Sequence, residues 1–351
     1  MGGFSLTALL ALFVGSGVVT WLAGVTLTKT TDSLDARFKI GDAIGGLVLL
    51  GVAGSLPEIA VVGSAALHGH MPVIIGTLIG GLSIQTLLLV IFDFAAGKKR
   101  PLSYLAGSVE LSIETLFAIA IAVMVLLATL VPAGKSVFHV NPLSAALPIA
   151  WIAGLLVINK VRKNARFSAV AEDSAPGRKH HERRKVENHP FYANRSTLHV
   201  IGIFVFACIA TLIAGWILEE SGNAIADKLG IGTGIFAATF IALATAIPEI
   251  STGLESIVIG DNHLAVSDIM GGNAFMLILF FLADLMARKP VLSYAHRDDH
   301  VVFLALWGVA MMVVYAVSFL LRPRRCYWRL GVDSLLTILL YAAGVFMLTR
   351  I

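Results

Sequence analysis

Long apolar runs follow one another along almost the whole chain, and this pattern restricts the possible fold more than any other feature. We count ten runs, at residues 4–27, 41–67, 72–96, 106–131, 143–160, 197–218, 232–259, 263–287, 301–321 and 330–350. Only 14% of the residues are charged, whereas soluble domains carry about 25%. Runs of roughly 20 residues are typical of membrane helices and not of β-barrel strands. The sequence therefore predicts an all-α integral membrane protein with ten transmembrane helices.

A polar segment divides the ten runs into two groups of five. Residues 160–196 are charged and rich in Lys and Arg, which predicts a solvated, polybasic linker close to anionic membrane lipids. The linker separates a first five-span domain, residues 1–159, from a second, residues 197–351.

The two groups are related in sequence at a constant offset of 191 residues. Pro57-Glu58 matches Pro248-Glu249, Gly80-Gly81 matches Gly271-Gly272, and Asp93 matches Asp284. Such a series of matches indicates duplication. Because five is an odd number, the second group enters the membrane from the opposite side, which predicts two inverted five-helix repeats with related motifs at 41–92 and 232–283.

The basic residues predict the orientation. With the N-terminus outside, 20 of the 26 Lys and Arg residues fall on the inner side, as the positive-inside rule requires. We therefore expect a multi-pass protein of the cell (inner or plasma) membrane with both termini outside and the central linker in the cytoplasm. The net charge of +4 is explained by these loops and indicates no nucleic-acid partner.

The duplicated Pro-Glu pairs predict a functional site within the membrane. A mid-helix proline removes a backbone hydrogen bond and frees a carbonyl group, and a carboxylate in a bilayer is costly. Carboxylate, carbonyl and hydroxyl oxygens together suit Ca²⁺ or Na⁺ better than a soft transition metal. Two carboxylates neutralise one divalent ion, and without it they repel each other and bind protons or monovalent cations. This competition predicts ion antiport.

The segments GVAGSLPE (51–58) and ALATAIPE (242–249) resemble the G-T-S-L-P-E core of the calcium/cation antiporter superfamily, whose best-known branch is the sodium/calcium exchangers. IGTLIGGLSIQ (75–85) and VSDIMGGNAF (266–275) are similar to its second conserved segment. The resemblance implies Ca²⁺ and Na⁺ ligands at the carboxylates of Glu58 and Glu249, the hydroxyls of Ser55 and Thr245, and the carbonyls of Gly51 and Ala242. It also implies a monomeric transport unit that is not an enzyme, has no cofactor besides the transported ions, and works by sliding of the first and sixth spans.

Several positions depart from the family pattern. Gly54 and Ala246 replace hydroxyl residues of the family, and Gly81 and Gly272 replace a serine. Where the family has Asn or Asp at the centre of the site, this chain has Gln85 in the first half and Met276 in the second. Because these changes remove Na⁺ ligands, two alternatives stay open. The coupling ion is a proton in the first, and the transported cation is not Ca²⁺ in the second. Gln85 is kept as a ligand candidate, and Asp268 is a candidate replacement ligand or a helix cap.

Two further acids lie together on one predicted helix, and two functions other than antiport have sequence requirements of their own. Glu110 and Glu114 share one helix face, and we expect them to pair with Lys98, Lys99 or Arg100, a proton relay being the alternative. An intramembrane aspartyl protease would need Asp in place of the Pro-linked Glu residues. A degenerate exchanger that senses or leaks ions also stays open.

Overall fold

The computed structural model describes residues 3–38, 52–96, 100–136, 138–163, 192, 195–295 and 298–348. Its helices are α1 (Leu6–Phe38), α2 (Leu56–His68), α3 (Met71–Ala96), α4 (Leu102–Ala106), α5 (Val109–Thr129), α6 (Pro142–Lys163), α7 (Thr197–Leu229), α8 (Thr233–Thr245), α9 (Ile247–Ile259), α10 (Asn262–Ala287), α11 (Val291–Tyr294), α12 (Asp299–Leu321) and α13 (Val332–Leu348). A 3₁₀ turn covers Ala133–Lys135. Two short antiparallel strands, β1 (Cys326–Tyr327) and β2 (Leu330–Gly331), precede α13. Most of the predicted linker, Gly51, Lys98 and Lys99 lie outside the described residues.

The protein is a predominantly helical, multi-pass membrane protein. In the described part of the chain, seven helices are long and apolar enough to cross a bilayer. Helices α8 and α9 form an eighth span if they are counted together, although they meet at an angle of 44°. Two further apolar helices are shorter, α2 with 13 residues and α13 with 17. The described residues thus support seven or eight spans, and the count of ten stays a prediction.

Helices α1 and α7 form a long pair on the outside of the molecule. Each has 33 residues, which corresponds to about 50 Å and exceeds the roughly 30 Å of a hydrocarbon core. They pack along each other and expose large apolar side chains such as Leu22 and Phe206, as expected for lipid-facing helices.

The long pair contacts the rest of the protein at two equivalent glycines. A Cβ atom on Gly24 of α1 would lie 2.7 Å from Cγ of Pro248 in α9. A Cβ atom on Gly215 of α7 would collide with Ala60 of α2. Since Gly24 and Gly215 are 191 residues apart, both long helices cross the Pro-Glu helix of the other half at equivalent positions of their own sequence.

The centre of the molecule is built from α3 and α8. Both contain a π-helical turn, at Gly76–Gly80 and Ala237–Ile241, and the two turns pack against each other. A Cβ atom on Gly76 would collide with the carbonyl oxygen of Gly234, and one on Gly80 with Ala238. Glycine at these two positions therefore permits the close approach of the two helices.

The duplicated aspartates act as structural caps where the helices end. Asp93 of α3 is fully buried and accepts hydrogen bonds from the backbone N–H groups of Leu102 and Gly331 and from the hydroxyl of Ser334. Asp284 of α10 likewise accepts from two backbone N–H groups, those of Asn141 and Val291. Asp93 thus ties α3 to α4, β2 and α13.

We expect Asp93→Ala to destabilise the protein strongly, because it leaves two buried N–H donors without a partner. Each such donor costs about 1–3 kcal/mol, so the unfolding midpoint in detergent should fall clearly. Asp261→Ala is the matched control: Asp261 is an exposed N-cap that accepts from Leu264 N–H, and its loss costs about 1 kcal/mol. Equal losses of thermal stability in the two variants would contradict this role for Asp93.

Candidate functional site

The Pro-Glu sequence places both predicted acids in the first turn of a helix. Pro57 and Glu58 lie at the start of α2, and Pro248 and Glu249 at the start of α9. Proline has no N–H to donate and is accommodated best in the first helical turn. The same turn carries unpaired N–H groups and the positive end of the helix dipole, which favours a carboxylate there.

The carboxylates of Glu58 and Glu249 lie close enough to interact, and among the described residues no cationic side chain forms an ion pair with either of them. Glu58 is 1% exposed, and neither of its carboxylate oxygens has a hydrogen-bond partner among the described residues. Oε2 of Glu249 is also buried and has no hydrogen-bond partner in the described part of the chain. The carboxylate of Glu249 lies within electrostatic range of the carboxylates of Glu58 and Asp268. A carboxylate that has two other carboxylates nearby in a membrane interior belongs to a site that a cation stabilises.

One predicted oxygen ligand of the second half lies next to Glu58. Thr245, the last residue of α8, lies beside the Glu58 carboxylate, and its hydroxyl donates to the carbonyl oxygen of Ala242 at 3.1 Å. The same carbonyl accepts from the N–H of Ala246 at 3.1 Å. The Ala242 carbonyl thus becomes a free ligand only when the Thr245 hydroxyl turns away. Its predicted counterpart, Gly51, lies outside the described residues.

A cavity of about 340 Å³ leads to this group of acids. Ser55, Gln85, Glu249 and Asp268 line it, so four of the eight predicted site residues share one space. Asp268 is exposed to this cavity although it lies deep in the protein. Residues from α1, α5 and α6 complete the wall, among them Thr28, Glu114 and Asn159. Glu58, Thr245 and Ala242 are buried and do not line the cavity.

Glu114 is a site residue whose place the sequence did not predict. It is 5% exposed, lines the cavity, and accepts a hydrogen bond of 2.7 Å from the hydroxyl of Ser267. Ser267 precedes Asp268 in the chain, so a carboxylate of α5 faces the acids of α9 and α10. Glu110 lies near His263, at 3.7 Å. The predicted pairing of these acids with Lys98 or Lys99 stays a prediction because both lysines lie outside the described residues. The spacing of the two acids indicated a shared helix face, but not which helix that face contacts.

The family departures at the centre of the site are spatially coupled. A Cβ atom on Gly81 would lie 2.8 Å from Sδ of Met276, and one on Gly272 would lie 3.5 Å from Oε1 of Gln85. These pairs are equivalent under the offset of 191 residues. Each longer side chain occupies the space that the glycine of the other half leaves open. Gln85 reaches the cavity wall with Oε1 unpaired among the described residues, whereas the buried thioether of Met276 is a weak acceptor.

Comparison with known proteins identifies the class. The sequence profile of the family described as sodium/calcium exchanger protein matches residues 8–160 and 199–350. Since these segments make up most of the chain, the protein belongs to the sodium/calcium exchanger family, which is a family of transporters.

Individual relatives are distant but cover the chain well. The sequence is 24% identical to inner membrane protein YrbG of Escherichia coli (strain K12) over 85% of this chain and 86% of YrbG. It is 24% identical to putative antiporter CaxA of Alkalimonas amylolytica over 88% of this chain and 90% of CaxA.

Solved structures share the fold. The H⁺/Ca²⁺ exchanger CAX superposes with a TM-score of 0.64 at 14% identity, over 97% of this chain and 88% of CAX. The sodium-calcium exchanger NCX_Mj superposes with a TM-score of 0.55 at 15% identity, over 97% of this chain and 99% of NCX_Mj. At these identities the likeness establishes the fold alone.

Proposed function

We propose that this protein is a secondary active antiporter that exchanges Ca²⁺ for Na⁺ at a site between α2 and α9. The observation that carries the proposal is the pair Glu58 and Glu249: two neighbouring carboxylates, three of whose four oxygens are buried and have no hydrogen-bond partner among the described residues. One divalent ion neutralises both charges. Carboxylate, hydroxyl and carbonyl oxygens are the ligands that Ca²⁺ prefers.

The proposed ligand set extends from the buried acids towards the cavity. Glu58, Glu249 and the Thr245 hydroxyl form its inner part, and the carbonyls of Ala242 and Gly51 complete that part when they are free. Ser55, Gln85 and Asp268 line the cavity and supply the outer part. Glu114 faces the same path and adds negative charge along it. The cations are cargo, and we propose no cofactor and no enzymatic activity.

Alternating access follows from the two long helices. We propose that α1 and α7, the first and sixth of the ten predicted spans, slide past the other eight spans of the two inverted repeats, so that the site opens to one side at a time. The crossings at Gly24 and Gly215 support this, since small residues allow close helix packing in membranes. One protomer contains the whole site, in line with a monomeric transport unit embedded in lipid.

The cavity gives the proposed orientation of the open state. It extends from Glu249 to Asn159, which lies near the end of α6 where the polybasic linker begins. With the linker in the cytoplasm, the cavity opens towards the cytoplasm and both termini lie outside. The name of the relative YrbG supports the inner membrane as the location.

Proton coupling is the second candidate. Met276 fills the space next to Gly81, so no hydroxyl can occupy that position without displacing the thioether. With fewer oxygens available for Na⁺, the carboxylates themselves can carry the counter-ion as protons. Ser55 and Thr245, which retain their hydroxyls, favour Na⁺ as the first candidate.

The test measures which gradient drives uptake. Purified protein is reconstituted into vesicles loaded with Na⁺, and ⁴⁵Ca²⁺ uptake is followed, then repeated with a pH gradient in the absence of Na⁺. Glu58→Gln is the negative control. Uptake that needs Na⁺ and Glu58 supports the proposal, and uptake that needs only the pH gradient supports the second candidate. Glu58-dependent Ca²⁺ entry without a counter-ion would indicate a leak, and no Glu58-dependent uptake would overturn Ca²⁺ as the cargo.

A further inference from the structure

A second polar cluster lies at the other end of α2, away from the proposed transport site. His68 is the last residue of α2 and His70 precedes α3, while Glu219 and Glu220 lie in the second half of α7. Ten residues separate Glu58 from His68, so the cluster lies about 15 Å further along the same helix. The proposed antiport uses none of these four residues.

Glu219 is a buried carboxylate held by neighbouring polar groups. It is fully buried, its Oε1 lies 2.6 Å from Nδ1 of His70, and its Oε2 accepts a 2.8 Å hydrogen bond from the Ser64 hydroxyl. Among the described residues, its partners within ion-pair distance are histidines and not Lys or Arg. A buried carboxylate with this environment requires a cation or a proton nearby.

His68 brings a nitrogen ligand to the same place. Its Nδ1 lies 3.4 Å from Oε1 of Glu220 and 3.9 Å from Oε2 of Glu219, and ligand atoms of the three residues all lie within 4.8 Å of one another. Around a tetrahedral ion with ligand bonds of about 2.0–2.1 Å, ligand atoms are about 3.4 Å apart. The three side chains therefore need only small movements to share one ion.

The donor set identifies the class of metal. One imidazole and two carboxylates suit Zn²⁺ and similar first-row ions, whereas Ca²⁺ takes oxygen ligands only. His70 holds the other oxygen of Glu219 and so orients the ligand, as outer partners do in known metal sites. Because Nδ1 of His68 also lies 2.9 Å from the Ser64 carbonyl oxygen, a bound metal replaces that contact.

Access to the cluster comes from a separate cavity of about 460 Å³. His68, His70 and Glu220 line it, together with Asn223 and Asp227 of α7. This cavity leaves room for a water molecule as the fourth ligand, the arrangement of an open three-ligand zinc site. Glu219 is 22 residues from the start of α7, about 33 Å, so the cavity lies at the membrane face opposite the linker.

We infer that His68, Glu219 and Glu220 form a regulatory site for Zn²⁺ or a similar transition-metal ion, and that the bound ion joins α7 to α2. The ligands come from two helices that pack against each other. In the proposed function, on which this consequence rests, α7 must slide past α2. A metal bonded to both helices holds them in one position and slows exchange.

Binding is tested first, independently of transport. Full-length protein in detergent is titrated with Zn²⁺ by calorimetry and with Co²⁺ by visible absorption. All variants carry Ala at His180, His181 and His189, because these linker histidines lie outside the described residues and can bind metal. We expect His68→Ala and Glu219→Gln to weaken Zn²⁺ binding by about tenfold or more.

Two controls define the binding result. His199→Ala removes an exposed histidine at the other end of α7, and Glu58→Gln alters the transport site; both should bind Zn²⁺ at this cluster like the parent protein. His68 has a side chain 43% exposed, so its variant is expected to keep the unfolding midpoint of the parent. Unchanged Zn²⁺ affinity in His68→Ala, or no saturable binding by the parent, would overturn the site.

Transport is tested second. Zn²⁺ added on the cavity side should inhibit cation exchange in the parent protein, a chelator should reverse the inhibition, and His68→Ala should resist it. Saturable binding without inhibition would overturn the regulatory role and leave the site standing. If no gradient drives exchange, the proposed function fails, while calorimetry still decides whether the metal site exists.

Discussion

Glu249→Gln is expected to abolish cation exchange, while Glu255→Gln on the same helix leaves the rate close to that of the parent protein. Glu249 lies at the cavity wall and beside Glu58, with one carboxylate oxygen buried and unpaired among the described residues. Glutamine keeps the size of the side chain and removes its charge. The variant therefore tests charge neutralisation and not packing.

The expected loss is large because the site has little else with which to replace that charge. Two unit charges 4 Å apart interact by about 4 kcal/mol at an effective dielectric constant of 20. A loss of this size corresponds to a factor of roughly a thousand in affinity. Gln85 supplies a neutral oxygen and Met276 a thioether, so neither compensates for the lost carboxylate.

The measurement is the initial rate of ⁴⁵Ca²⁺ uptake over a range of Ca²⁺ concentrations. Glu255 is exposed and lies six residues after Glu249, so Glu255→Gln controls for expression, membrane insertion and orientation of a variant in α9. A Glu249→Gln protein that transports with the affinity of the parent would contradict the assignment of Glu249 as a ligand.

The local part of the site could be predicted from the sequence. Glu58 and Glu249 follow prolines, and a proline that starts a helix fixes where the next residue lies. The offset between the halves then predicted that the two acids share one site; in the structure they lie within electrostatic range of each other, and their role as ligands stays a prediction. Ser55, Gln85 and Asp268 were predicted from the resemblance, and all three lie on the cavity wall.

Contacts between distant helices could not be predicted in this way. Glu114 faces Ser267 across 153 residues of sequence, and Met276 occupies the space beside Gly81. Neither contact could be recognised from the local sequence, because hydropathy predicts which face of a helix is buried but not which other helix that face contacts. The same holds for His68 and Glu219. Each directly follows a predicted apolar run, and nothing in their positions along the sequence indicated that they lie in one cluster.

Hydropathy also misplaced the ends of several helices. The first and sixth apolar runs were predicted to end at 27 and 218, but α1 continues to Phe38 and α7 to Leu229. Polar residues such as Glu219 and Glu220 end an apolar run without ending a helix, because Glu is a good helix former. The predicted span 232–259 bends between α8 and α9, where Pro248 interrupts the backbone hydrogen bonds.

Gly215→Ala and Gly202→Ala are expected to act with opposite sign although both lie in α7. A Cβ atom on Gly215 collides with Ala60 and comes within 3.3 Å of backbone atoms of α2, whereas nothing lies within 4 Å of one on Gly202. Overpacking of a tight contact costs about 1–3 kcal/mol. Replacing an unhindered helical glycine with alanine gains up to about 1 kcal/mol.

Thermal unfolding in detergent and the rate of exchange test this pair together. Gly202→Ala should raise the unfolding midpoint and leave exchange unchanged, whereas Gly215→Ala should lower the midpoint and slow exchange by about tenfold or more, since each 1.4 kcal/mol on a barrier is tenfold in rate. Gly24→Ala, which meets Pro248 in the equivalent crossing, should reproduce the effect of Gly215→Ala. If both crossing variants exchange ions like the parent, α1 and α7 do not have to slide across these contacts, and alternating access must come from other helices.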